Sequence, residues 1–292
     1  MEQFFPHERL DVYAKALSFA EMVLPAIAAW PATVAVRDQL DRAIESLVTN
    51  LVKAARLQRT NQATYYLECS LGSVLECAAC LDVAQHRNLI DAPQLLAAKE
   101  ILQQVARMEV GLRSSWCRSL VVREDAPPYV TGTRHFFAHE SLIVYQRSLQ
   151  IHELLGSAFP QPQRERRYAK RIDELTTSLT VNIAEGNGRF SKLDHGKFVE
   201  IAEDAGSKLS AYLDLAATAW AEDMSLAKCH LREVMAMLEG LKGYLDGAAP
   251  GGEEETKKVD EGKRQSRGAA ALRLSTSSKA RRRMMKSKAD EK

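Results

Sequence analysis

The residue types that could do chemistry in this chain are few. Cys77 and Cys80 form a CxxC pair, and Cys69 and His86 lie on the same predicted helix. The second CxxC pair of a typical structural zinc site is missing. The pair also lies inside a helix and not at a helix N-terminus, where a thiolate would be stabilised. The pattern favours packing of small apolar side chains in a core over a metal site, and we expect neither a metal nor a cofactor.

Two other motifs also fail as catalytic signatures. His139-Glu140 begins like the zinc motif HExxH, but Ile143 stands where the second histidine is required. The segment 186–189, Gly-Asn-Gly-Arg, follows a predicted helix and lacks the Lys-Ser/Thr ending of a phosphate-binding loop. No Ser-His-Asp order and no flanking carboxylate pair stands out from what a helical surface supplies. We therefore predict that the protein is not an enzyme.

Composition predicts a soluble protein with room for two ordinary domains. The chain has 292 residues, of which 46% are hydrophobic, and its 40 basic residues nearly balance 38 acidic ones. It contains no uncharged apolar run of about 18 residues, and no basic segment precedes an apolar stretch at the N-terminus. Five cysteines are an odd set in a chain of this size, so reduced thiols are expected. These features predict a cytoplasmic protein without a membrane span.

One sequence pattern occurs twice in the chain. Residues 4–13 recur as residues 136–145, with seven of the ten positions identical. The offset of 132 holds again where Asn50 matches Asn182, and it becomes 134 where Gly72 matches Gly206. Because loops absorb insertions while helices keep their length, such shifts between apolar stretches indicate two copies of one fold.

Helical periodicity fixes the expected architecture. Apolar residues at steps of three and four predict four amphipathic helices in each copy, and no convincing strand pattern occurs. The predicted fold class is all-α, with two tandem antiparallel up-and-down four-helix bundles. We place the first bundle at 1–118, a linker at 119–134 and the second bundle at 135–247. Residues 248–292 form a basic tail with too few large apolar residues to fold alone, and we expect it to be disordered.

Several polar and small residues near the second helix of each copy are candidates for structural roles. Asn50 and Asn182 lie beside the apolar stripe at the same repeat position, where a buried amide must be hydrogen-bonded. A role in fixing helix register is favoured, and ligand contact stays open. Glu185 could reach a cation or backbone amides near the helix end, or lie exposed. Gly186 and Gly188 predict the end of this helix.

Two clusters of basic residues are candidates for contact with nucleic-acid phosphates. The alternative for the first cluster is a solvated helix start, because acidic residues interrupt and follow it. The second cluster, in the tail, could add nonspecific affinity for nucleic acid or an acidic partner. The first cluster, here called the basic strip, consists of Arg164, Arg166, Arg167, Lys170 and Arg171, and the second consists of Arg281, Arg282 and Arg283.

The motif of the second copy resembles a known family. Residues 178–189 read SLTVNIAEGNGR, and both copies open with Phe-x-x-x-x-Leu-x-Val-Tyr. These segments are similar to a bacterial four-helix-bundle family first noticed in intervening sequences of large-subunit ribosomal RNA genes. That family includes the accessory variability determinant of diversity-generating retroelements. The motif positions in this chain are Asn50, Asn182, Glu185, Gly186, Gly188, Arg189, Gly72 and Gly206.

The resemblance implies a bundle without enzymatic activity that assembles into rings, commonly pentamers. In the retroelement case it also implies binding of a reverse transcriptase and its RNA through a basic surface. This chain departs from the pattern at Asp173-Glu174, where family members carry a basic pair, and at Lys53-Ala54, which replaces a Glu-Gly turn. Both changes remove positive charge or turn geometry from the surface that would bind RNA.

From the resemblance we expect a self-associating homo-oligomeric adaptor that binds a protein partner. A reverse transcriptase or another nucleic-acid enzyme is the expected partner, with RNA or DNA contacts from the basic strip and the tail. The alternative is a purely protein-binding assembly scaffold, for example in a defence system, without nucleic-acid binding.

Overall fold

The computed structural model describes residues 5–116, 135–158, 168–220 and 222–247. Within these ranges the chain is all-α and contains no β-strand, as predicted. Two short 3₁₀ segments, Pro6–Arg9 and Ala138–Ser141, precede the first and fifth helices. The helices are α1 (Asp11–Ala29), α2 (Ala35–Arg56), α3 (Asn61–His86), α4 (Ala92–Trp116), α5 (Ile143–Ala158), α6 (Ala169–Asn187), α7 (Lys192–Trp220) and α8 (Ser225–Leu245).

The helices form two closed sets of four. Each of α1 to α4 packs against the next helix, and α4 returns to α1; α5 to α8 repeat this arrangement. We call these sets bundle one and bundle two. Leu47 and Leu102 are fully buried in bundle one, and Leu179 and Leu209 in bundle two. Each such side chain contributes about 1.5–3 kcal/mol on burial, so these leucines belong to the cores of the two bundles.

The end of α6 differs from the prediction in one residue. Gly188 is the C-cap, as expected, but Gly186 is buried inside the helix. A β-carbon at position 186 would lie 3.0 Å from Cβ of Phe198 and 3.1 Å from Cδ2 of His195. Gly186 therefore permits close approach of α7 to α6 and does not end the helix.

Helix α3 lies at the centre of the molecule. It is buried on almost every side between Leu67 and Ala84, because it packs against α2 and α4 in its own bundle and against α5 and α6 of bundle two. The two bundles form one compact unit. In the described residues α7, the counterpart of α3, makes no matching contact with α1 or α2. The bundles are thus joined head to tail, through different surfaces on each copy.

The predicted linker (119–134) and tail (248–292) lie outside the described residues. The same is true of Arg164, Arg166 and Arg167 of the basic strip and of Arg281, Arg282 and Arg283.

Candidate functional site

The contact between the bundles contains a buried charged cluster centred on Lys99 of α4. Its ammonium nitrogen lies 2.5 Å from Oδ1 of Asp82 in α3 and 2.9 Å from Oε1 of Glu140 in bundle two. The Tyr145 hydroxyl donates a hydrogen bond to Oδ2 of Asp82 at 2.9 Å. The two carboxylates share the Lys99 cation in a buried site, and Asp82 also accepts the phenol, so the cluster holds the second copy in one orientation on the first.

The same cluster contains a set of atoms with metal-ligand chemistry. Three potential ligand atoms lie within 4.8 Å of one another, and they belong to Asp82, His139 and Glu140. Both ring nitrogens of His139 are buried without a hydrogen-bond partner among the described atoms, and burial, followed by the charge of Lys99, lowers the pKa of His139. The Lys99 ammonium already contacts both carboxylates, so this arrangement is an ion-pair cluster and offers no open coordination site.

A second charged contact joins the bundles at the start of α6. Asp173 accepts a hydrogen bond from the backbone amide of Ala35 at 2.7 Å and forms an ion pair with Arg87 at the end of α3. Both side chains of the ion pair are about nine-tenths buried. The acidic residue that departs from the family pattern thus connects α6 to two helix ends of bundle one.

The motif residues at the end of α6 face bundle one. Glu185 pairs with Arg189 one turn later, and the guanidinium of Arg189 lies 4.3 Å from the ring centre of Phe198. Burial raises the pKa of Glu185, while the charge of Arg189 opposes that shift. A β-carbon on Gly72 of α3 would lie 3.0 Å from Oε1 of Glu185. Of the roles left open for Glu185, the structure therefore shows contact with a cation, at a site where Gly72 leaves room for it.

An aromatic stack of bundle two lies beside this contact. Phe137, His139 and Tyr145 are buried to at least 99%. The rings of Phe137 and His139 are stacked with centres 5.8 Å apart, and His139 meets Tyr145 edge-on at 4.7 Å. The stack therefore holds Tyr145, whose hydroxyl reaches Asp82 of bundle one, in a fixed position.

The first copy contains the same aromatic stack in an exposed position. Phe5 and His7 are stacked at 5.6 Å, and His7 meets Tyr13 edge-on at 4.6 Å. Phe5 is 66% exposed, and Leu17 farther along α1 is 37% exposed. The internal repeat pointed to these residues, but it did not show that one copy is covered and the other open.

Asn50 and Asn182 make the same local hydrogen bond. Each side-chain amide donates at 3.2 Å to the hydroxyl of the serine four residues earlier, Ser46 or Ser178. In bundle one Ser73 of α3 also donates to that serine at 2.8 Å. The amides are hydrogen-bonded as expected, through their own helices, and the register role stays a prediction. Gly206 lies under Leu231 and Met235 of α8, a packing position inside bundle two.

Two residues of the basic strip are described, and both are exposed at the start of α6. Lys170 Nζ lies 3.9 Å from a Glu174 carboxylate oxygen, and the guanidinium of Arg171 lies 2.8 Å from the other. Glu174 lowers the net charge of this part of the strip. Nucleic-acid contact stays a prediction.

Other buried titratable groups lie in the core of bundle one. Cys77 and Cys80 are fully buried, and burial raises the pKa of both thiols, in agreement with the predicted packing role. Burial also raises the pKa of Glu109 to about 8, although Ser70 donates a hydrogen bond to it at 2.5 Å. The pKa of Glu76 rises to about 7 through burial and the nearby charge of Glu185. Neither carboxyl was identified from the sequence, because a single Glu within a helix carries no signal of burial.

Among the described helices, α1 is long and apolar enough, by length and composition alone, to cross a membrane. Its most apolar 18-residue window has a mean hydropathy of 1.4, and 33% of that window is buried in the structure. The core helix of a bundle passes the same test. Val12, Phe19 and Val23 of α1 are buried in the core of bundle one, so its apolar residues contribute to packing.

These contacts define a protein of two four-helix bundles joined through an ionic and aromatic interface. Residues 8–111 match the family model described as 23S rRNA-intervening sequence protein. This match lies within bundle one, and the family model is that of the family that the sequence motifs resemble. The resemblance of bundle two to the same family rests on its sequence motif and on the internal repeat. No curated protein and no solved structure matches the chain.

Proposed function

We propose that the chain is a non-catalytic, self-associating adaptor that docks on other proteins through the exposed aromatic stack and α1. The observation that carries this proposal is the difference between the two stacks. The same rings occur in nearly the same geometry in both copies, but Phe137 is fully buried while Phe5 is 66% exposed. The stack of the second copy is buried against other parts of the chain. The same preformed stack, exposed in the first copy, is therefore suited to docking on another protein.

The surface continues along α1. Leu17, Met22 and Leu24 are 37–44% exposed, and exposed small residues lie between them. We call this set, Ala14, Leu17, Ser18, Met22, Leu24, Ala28 and Ala29, the α1 face. The exposed Glu21 is a charged residue within this face. A largely apolar exposed face of this kind is typical of a protein interface.

Family likeness supports a nucleic-acid enzyme, such as a reverse transcriptase, as the protein partner. The proposal includes RNA or DNA contacts from the basic strip and the tail, with Lys170 and Arg171 exposed for that contact. If phosphates are bound, affinity for a labelled RNA falls steeply as salt rises, and Lys170→Glu with Arg171→Glu weakens it further. A flat salt response would favour the alternative, a scaffold that binds protein alone.

Crosslinking in cells tests the docking surface directly. A photo-crosslinking amino acid at position 17 should give covalent protein adducts in the host cell. The same amino acid at position 201, where Ile201 is 47% exposed on α7, is the matched control and should give few. Absence of adducts at position 17, or equal adducts at both positions, contradicts the proposal.

A further inference from the structure

A cavity of about 300 Å³ lies between the two bundles. The start of α2 and its first two turns form one wall, and the first half of α6 forms the other. A volume at the low end of the range for small-molecule sites limits any ligand to a small one. We call this space the interbundle cavity, and the lining residues that matter for binding are Ala35, Asp38, Arg42, Lys170, Glu174 and Thr177.

Thr177 gives the cavity a buried hydroxyl. The residue is only 2% exposed, and among the described atoms its Oγ1 has no hydrogen-bond partner. The hydroxyl of the neighbouring Thr176 instead donates to the carbonyl of Ile172 at 2.7 Å, as threonines inside helices often do. A buried hydroxyl without a partner is unfavourable. Thr177 gains a partner when a polar group enters the interbundle cavity.

The charged side chains that line the cavity balance one another. Asp38 and Arg42 lie one turn apart on α2, and Lys170 and Glu174 lie one turn apart on α6. In the described part of the chain Asp38 and Arg42 form no ion pair, and Arg42 donates to the side-chain oxygen of Gln39 at 2.7 Å. A ligand with charge of one sign is repelled by half of these groups, whereas a molecule with both signs finds an opposite charge for each.

The start of α2 adds a place for a carboxylate. Val34 precedes this helix and supplies no side-chain cap, and the helix dipole gives the N-terminus a partial positive charge. Asp173 of α6 already accepts a hydrogen bond from the Ala35 amide at 2.7 Å, so one carboxylate of the protein itself uses this helix end. The cavity thus combines a helix N-terminus, side chains of both charges and a buried hydroxyl.

We propose that the interbundle cavity binds a small zwitterion of the class of free α-amino acids. The two cationic side chains are available to the carboxylate of the ligand, and the two acidic side chains are available to its ammonium group. Thr177 hydrogen-bonds to one of these groups. Because the two walls belong to different bundles, the bound ligand also stabilises the packing of one bundle on the other. This site is separate from the α1 face and does not depend on docking there.

Titration calorimetry of the full chain with the common free α-amino acids, one at a time, tests the site. At least one should bind, and Thr177→Val should weaken its binding about tenfold or more through loss of a hydrogen bond to a charged group. Thr176→Val is the matched control on the same helix and should bind as the original protein does. Valine is close to threonine in shape, and circular dichroism checks that both variants stay folded. Failure of every amino acid to bind overturns the proposal, as does unchanged affinity in Thr177→Val.

Derivatives of the amino acid that binds test the need for both charges. Its amide lacks the carboxylate and its N-acetyl derivative lacks the ammonium group, and each should bind at least about tenfold more weakly. Arg42→Gln should weaken binding of the amino acid and leave the weak binding of the amide unchanged. If the N-acetyl derivative binds as tightly as the amino acid, the cavity takes simple anions and the proposed zwitterion site is wrong.

Discussion

Tyr145 of bundle two donates its hydroxyl hydrogen to Asp82 of bundle one at 2.9 Å, and both side chains are buried. The hydrogen bond ties the first helix of one copy to the third helix of the other. Lys99 and Glu140 complete the cluster. A charged cluster, and not apolar burial alone, thus fixes how the two copies meet.

Replacing Lys99 by methionine should destabilise the protein strongly. The substitution keeps most of the apolar stem of the side chain but leaves the Asp82 and Glu140 carboxylates buried without their cation. Loss of one partner from a buried ionic cluster costs about 3–5 kcal/mol. Urea unfolding followed by circular dichroism measures this loss. Lys208→Met, which breaks the exposed pair with Asp204, is the control and should change stability by less than about 0.5 kcal/mol.

Asp173→Asn should weaken the packing of α6 on bundle one. The variant loses the negative charge opposite Arg87 and weakens the bond from the Ala35 amide, with an expected cost of about 2–4 kcal/mol. Glu174→Gln removes the neighbouring charge at an exposed position and should cost far less. The melting temperatures of Asp173→Asn and Glu174→Gln measure the difference. Equal melting temperatures would show that Asp173 does not join the bundles.

Glu109 should make the protein less stable as pH rises. Burial raises its pKa in the folded state from 4.5 to about 8, so the folded protein keeps a proton that the unfolded chain releases. Stability therefore falls between about pH 4.5 and 8, by at most about 1.4 kcal/mol per pH unit from this group. Denaturation of the original protein and of Glu109→Gln at several pH values measures the difference. Parallel pH profiles would contradict the assignment.

Thiol labelling should separate the cysteines by burial. Cys229 is exposed, whereas Cys77 and Cys80 are buried and burial raises the pKa of their thiols. N-ethylmaleimide should modify Cys229 quickly and the CxxC pair at least about 100-fold more slowly, as read by peptide mass spectrometry. All three should react at similar rates in denaturant. Rapid labelling of Cys77 in the native protein would argue against a core role.

Local sequence features were sufficient to predict the helices and their grouping. Periodicity identified the helices, and the repeat of residues 4–13 at 136–145 identified the second copy. For α1, however, the predicted stripe was wrong: Leu17 and Leu24 are exposed, and Val12 and Phe19 are buried in their place. The core role of the CxxC pair followed from its position inside a helix. These properties depend on neighbours within about two turns, which the sequence displays directly.

The contact between the bundles could not be predicted in this way. Asp173 appeared to remove charge from an RNA-binding surface, but it contacts Arg87 and Ala35 of the other bundle. Periodicity reports that a face is buried without saying which distant surface covers it. One signal was available: between Leu67 and Ala84, α3 has only three charged residues, Glu68, Glu76 and Asp82, and a mostly apolar helix is typical of one with neighbours on several sides.

The head-to-tail packing of the two copies limits how many bundles can be joined in the same way. A third bundle added in the same manner would have to seat its rings against α7, where the charges of Glu200, Asp204 and Lys208 favour water. The charged outer side of α7 therefore ends the head-to-tail packing after the second copy.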